Sequence, residues 1–201
     1  MIERDRYEQL KKESGKVSSW AIWRDPEKDK PASGIGDLSV FDDPGILNRL
    51  QPEYIFVGLN AAAHDDPNSA DWAAFHSGDN RRQRDYKLRF ALKGTEYWGA
   101  YITDAIKNVV ETNSGTVVDM INKDPDLLEK SKAALRRELD IIGGEPTLIA
   151  IGKDAYRILQ SMDLPVKNIL QIPHYSAWGS KENYRAQVLD ALTSLKTLRA
   201  R

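Results

Sequence analysis

TLIAIGKDAYRILQSMDLPVKNILQIP, residues 147–173, carries a strand–helix–strand pattern within 27 residues. It opens on an apolar run, TLIAIG (147–152), passes through a helical pattern, KDAYRILQSM (153–162), and closes on a second run, NILQIP (168–173). Short apolar runs that do not alternate with polar residues are the mark of strands buried on both faces of a parallel sheet. Two such strands joined by a helix-length connection make a right-handed crossover.

Upstream, the same kind of run recurs at YIFVG (54–58) and AYIT (100–103). Helical patterns cover DYKLRFALKG (85–94), DPDLLEKSKAALRRELDIIGG (124–144) and SKENYRAQVLDALTSLKTL (180–198). Asp124, Pro125 and the Gly143–Gly144 pair stand where helix caps belong. Strand–helix alternation on this scale predicts an α/β fold: three α/β/α layers with a central, mainly parallel four-stranded sheet. Residues 3–13 read as a polar helix. The segment 24–45, dense in Pro, Gly and Asp, reads as an irregular surface loop. The expectation is one domain over 1–201, with residues 1–45 as an N-terminal extension packed on it.

The chain has 201 residues, enough for one sizeable core. Lys plus Arg number 29 against 30 Asp plus Glu, so overall charge does not point to an anionic partner, and any nucleic-acid footprint is local. Cysteine is absent, which excludes disulfides, thiolate metal centres, iron–sulfur clusters and a cysteine nucleophile. The N-terminus is polar and no apolar run approaches the length of a membrane helix, so a cytoplasmic location, without membrane contact, is expected.

Ligands of open parallel sheets bind beyond the carboxyl ends of the strands. The residues just past the four runs are Asn60, Asp104, Gly152–Lys153 and His174. An amide, a carboxylate, a helix N-terminus and an imidazole therefore share one edge. His174 is followed by Tyr175, Ser176 and Trp178 in the segment QIPHYSAWGS (171–180).

Gly58-Leu59-Asn60 at a strand end, with His174-Tyr175-Ser176 far downstream, resembles the two signature motifs of the uracil-DNA glycosylase superfamily. There the first motif runs Gly-x-Asn-Pro-Gly or a variant, and the second is His-Pro-Ser. YITDAIKN (101–108) and LIAIGKDAYRIL (148–159) are similar to the family's second and third strand segments. The resemblance spans roughly residues 50–195. It implies a monomeric DNA glycosylase that needs no cofactor and no metal, takes DNA as partner, and turns a damaged base out of the stack.

In that reading Asn60 positions the attacking water, and His174 donates to the base as negative charge grows there. The plainer alternatives are a turn-capping amide and a structural imidazole. Asp104 stands where an Asn often reads the base edge. An ionised carboxylate only accepts hydrogen bonds, so uracil does not follow as the substrate; Asn108 is the alternative reader. Trp72 or Phe75 would stack on the base. Tyr175 would line the pocket, Ser176 would hold a phosphate, and Trp178 would wedge into the vacated gap or else anchor the core. Arg81, Arg82 and Arg84, in a basic strip that also holds Lys87 and Arg89, would contact the DNA backbone together with Lys107; a solvated helix face is the alternative. Ala61–Ala62 and Tyr175 depart from the family's Pro-Gly and Pro.

Three other readings compete. A catalytically silent member that binds nucleic acid or a nucleotide is the first, and a small-molecule site at the same strand ends is the second. The third is a metal-dependent hydrolase built on His64, Asp65, Asp66 and His76, whose spacing fits no standard ligand pattern. No Gly-x-Ser-x-Gly follows a strand, which argues against a serine hydrolase.

Overall fold

The computed structural model describes residues 1–61, 70–76 and 84–199, with side chains as far as residue 193. Among them a five-stranded, mostly parallel sheet is combined with six α-helices. In chain order these are α1 (Arg4–Ser14), β1 (Ser19–Trp20), β2 (Gln51–Ala61), α2 (Asp85–Leu92), β3 (Ala100–Val110), α3 (Ser114–Lys123), α4 (Pro125–Ile142), β4 (Thr147–Ile151), α5 (Lys153–Ser161), β5 (Asn168–Ile172) and α6 (Lys181–Arg199). The strands lie in the order β1-β3-β2-β4-β5.

The four expected strands form the parallel part, but the strand number is corrected to five. β1 adds an antiparallel edge, with Ser19 opposite Ile102 and Trp20 opposite Tyr101. The Ala21 N–H continues this pairing by donating to the Ala100 carbonyl at 2.7 Å. Trp20 and Ile22 enter one buried apolar cluster, while Ala21 and Trp23 enter the other. The N-terminal segment is therefore woven into the sheet and both halves of the core.

Side-chain alternation along β2 divides the core. Ile55, Val57 and Leu59 meet residues of α1, α4 and α5 in one cluster. Tyr54 and Phe56 meet Leu88, Ala91 and Leu92 of α2 and Tyr184, Val188 and Leu192 of α6 in the other. α4 starts as its caps require: Asp124 accepts from the Asp126 and Leu127 N–H groups, Pro125 occupies the first turn, and Gly143 closes the helix at φ 77°. Asn113 caps α3 in the same way.

β3 runs seven residues beyond the stretch its apolar run suggests. Asp104 reads as the residue just past the strand and Lys107 as a contact to the DNA backbone, yet both are buried within β3. The Lys107 ammonium lies 2.8 Å from Glu138 Oε1 of α4 and 2.6 Å from Thr103 Oγ1. A buried charge is tolerated when it is paired, and that pairing keeps the strand in the sheet.

Candidate functional site at the carboxyl edge of the sheet

From β2 the chain crosses to β3 on one side, then returns to lay β4 on the other. The two crossovers diverge at the carboxyl end of β2, and that divergence opens the ligand crevice of such sheets. Gly58-Leu59-Asn60 and Gly152 stand at this point, on strands about 4.8 Å apart.

Gly58 faces Asp104 across the β2–β3 pair. A methyl group on Gly58 would come within 2.2 Å of Asp104 Oδ1 and 3.6 Å of Phe75 Cε1. Glycine here lets a carboxylate and an aromatic edge lie directly over the strand. Asp104 is 8% exposed, so its carboxylate is a nearly buried group beside Gly58.

The structure separates the two aromatics that the sequence leaves equivalent. Trp72 is buried, donates from Nε1 to the Tyr7 hydroxyl at 2.9 Å, and lies among the rings of Tyr7, Trp20 and Phe41. Phe75 is half-buried beside Gly58, and its carbonyl accepts from Trp23 Nε1. Trp72 is thus corrected to a core anchor, and Phe75 is the ring beside Gly58. Both residues have positive φ, 65° and 63°, which turns the short segment sharply enough to send neighbouring rings in different directions.

Asn60 lies in the last turn of the pleat. Its amide nitrogen donates to the carbonyls of Ala61 and Glu111, each at 2.8 Å, and approaches that of Val109 at 3.3 Å. The amide therefore staples the splayed ends of β2 and β3, where the register shifts.

His174 follows β5 and its ring lies over Gly152: a methyl there would be 3.4 Å from His174 Cβ. Gly152 has φ 98°, a conformation that favours glycine, and it caps α5. His174 Nδ1 receives the Ser176 N–H at 3.1 Å, and Ser176 Oγ lies 2.7 Å from it. An Nδ1 that accepts a backbone N–H leaves the proton of the neutral ring on Nε2. Desolvation by the surrounding protein lowers the imidazole pKa, so the neutral, Nε2-protonated form prevails at neutral pH. The His174 and Tyr175 rings stack with centroids 4.4 Å apart. The Ser176 hydroxyl serves the imidazole.

Trp178 is 103% exposed, which settles it as a surface residue and not a core anchor. The loop around it is nevertheless held firmly. The Tyr184 hydroxyl donates to the Pro173 carbonyl at 3.1 Å, and Lys87 Nζ donates to the carbonyls of Ala177 and Gly179, both at 2.8 Å.

The basic strip does not survive as a unit. Lys87 is buried under the loop. Arg89 is buried too, with its guanidinium on the carbonyls of Arg24, Pro31 and Ser33. Lys107 is corrected from a DNA contact to a buried ion-pair partner. Arg84 is exposed at the start of α2, whereas Arg81 and Arg82 lie outside the described residues.

The metal-hydrolase constellation also loses its described member. His76 is buried, its Nε2 3.0 Å from the Ile22 carbonyl and its Nδ1 3.0 Å from that of Ala74. His64, Asp65 and Asp66 lie outside the described residues, and among the described ones there is no cluster of potential metal ligands. No helix among them is long and apolar enough to cross a membrane.

Sequence reasoning missed Lys87, which it placed on the solvent side. A single lysine amid arginines carries no local sign that its partners lie about ninety residues away. No protein-family model matches the sequence, and no curated protein matches it.

Proposed function

We propose that this chain takes an everted nucleobase into the crevice at the carboxyl edge of an α/β/α scaffold and hydrolyses its N-glycosidic bond, with DNA as partner and the cytoplasm as its place of action. The observation that carries the reading is the cluster over Gly58, where a nearly buried carboxylate and the edge of Phe75 meet at the topological switch point. Phe75 offers a face for stacking, and Asp104 accepts hydrogen bonds from ring or exocyclic N–H groups of the base. His174, neutral and protonated on Nε2, donates to a base oxygen or nitrogen as the departing anion develops. With the Asn60 nitrogen spent on carbonyls, its oxygen is the atom that would hold the attacking water. Arg84 supplies a phosphate contact, and Trp178 an aromatic surface for the vacated stack.

The stapled amide of Asn60 favours a second reading, a binder of the same ligand without hydrolysis, because that side chain already has a structural task. The deciding experiment offers oligonucleotides carrying uracil, hypoxanthine, xanthine or mismatched thymine, with alkaline cleavage of abasic sites as readout. The enzyme reading requires excision of at least one base. It also requires His174→Ala to slow excision by about 10²-fold or more at nearly unchanged affinity. Because the His174 pKa is lowered, excision should hold on the acid side to below about pH 6.5. Binding without excision of any of the four assigns the chain to the silent class.

A further inference from the structure

Trp178 is fully exposed, yet the carbonyls of its two neighbours, Ala177 and Gly179, both receive hydrogen bonds from one buried ammonium. Lys87 is 1% exposed, and its stem rises from α2, a helix tied to α6 where Arg185 donates to the carbonyls of Phe90, Ala91 and Lys93. An ammonium taken out of water needs a full set of acceptors. Here two of them belong to one three-residue arch. Gly179 adds a φ of 124°, open to glycine and strained for other residues, and a methyl there would meet nothing within 4 Å. The glycine is therefore required by the path of the arch and not by crowding. A large aromatic held outward on a fixed backbone loses little freedom when it enters a contact.

We propose that Lys87 is a positioning residue that fixes the 177–179 arch in one conformation and so presents Trp178, already ordered, to the gap left by an everted base. The inference rests on the nucleobase reading for its purpose, whereas the clamp itself is a property of the free protein. The two are tested separately.

In the free protein labelled with 5-fluorotryptophan, Trp178 gives one of five ¹⁹F resonances, identified by its loss in Trp178→Phe. Lys87→Met should broaden or split that resonance and leave the other four in place, which also certifies the fold. An unchanged Trp178 line in a folded Lys87→Met overturns the clamp. If Lys87→Met does not fold, Lys87→Cys replaces it. The chain has no cysteine, so alkylation with bromoethylamine under denaturing conditions, then refolding, rebuilds a lysine-like ammonium at this position alone. The single native line must then return, and its failure to return in folded protein counts against the proposal.

The purpose is read from affinity for a duplex containing an abasic site. Trp178→Ala should weaken binding by about 10-fold, within the range of one base-stacking contact. Lys87→Met should weaken it by about 5–10-fold in the Trp178 background and by less than about 2-fold with Trp178→Ala. Equal losses in both backgrounds would show that Lys87 does not act through Trp178. A wild-type protein that binds no duplex refutes the nucleobase reading and the purpose assigned to Trp178, while the ¹⁹F result still decides the clamp.

Discussion

Gly58→Ala tests the geometry of the crevice directly. A β-carbon at position 58 would stand 2.2 Å from Asp104 Oδ1, far inside contact distance, while Phe75 Cε1 at 3.6 Å would be in ordinary contact. Gly58 is not among the positive-φ residues, so alanine meets no backbone strain, and the cost is the displacement of one buried carboxylate. Overpacking of this kind costs about 1–3 kcal/mol. About 2 kcal/mol lowers Tm by about 4–8 °C in a domain of this size. Removing the obstacle should remove the cost. In an Asp104→Ala background, Gly58→Ala should be neutral or stabilising by up to about 1 kcal/mol, since alanine restricts the unfolded chain more than glycine does. The coupling expected from urea unfolding of the four proteins is therefore about 2 kcal/mol. Gly99→Ala is the contrasting control. There φ is 94° and the obstructing atom is the Arg49 carbonyl oxygen at 2.1 Å, which cannot swing aside, so the loss should exceed that of Gly58→Ala. Equal costs for Gly58→Ala with and without Asp104 would show that the carboxylate does not occupy the space over Gly58.

Two further outcomes follow from buried polar groups. Lys107→Met strands Glu138 without its cation and should cost about 3–5 kcal/mol in urea unfolding. Glu138 Oε2 has no hydrogen-bond partner among the described residues, so replacing both by apolar residues, Lys107→Met with Glu138→Leu, should recover most of that loss; no recovery would contradict the pairing. Burial raises the Tyr7 hydroxyl pKa to about 12, ahead of the opposing hydrogen bond from Trp72. A raised folded-state pKa means that its stabilisation is complete below pH 10 and is lost as pH climbs through about 12, by about 3 kcal/mol in all. Burial moves Tyr101 and Tyr184 the same way, so Tyr7→Phe should reduce the alkaline fall in stability without abolishing it; an unaltered fall refutes the assignment.

The features legible in the amino-acid order are local in origin. The apolar runs at 54–58, 100–103, 147–152 and 168–173 became the parallel strands, because a strand buried on both faces must be continuously apolar. The helix between Asp124 and Gly143 followed from caps that lie within its own ends. The strand-end rule picked out Asn60 and His174 near the ends of β2 and β5, whereas Asp104 lies inside β3. Other features were decided by partners distant in the chain. β1 is too short to carry a period and exists because β3 offers it an edge. β3 continues through Lys107 because Glu138 neutralises it. Trp72 and Phe75, three residues apart, part ways because Tyr7 takes one indole while Gly58 leaves room for the other ring. Lys87 and Arg89 read as part of a phosphate-contacting strip or else a solvated helix face, yet each is buried because loop carbonyls from elsewhere in the chain surround its charge. A short sequence pattern records how a residue fits its own helix or strand. Whether its polar atoms meet water or a buried partner depends on chain segments brought together only by folding.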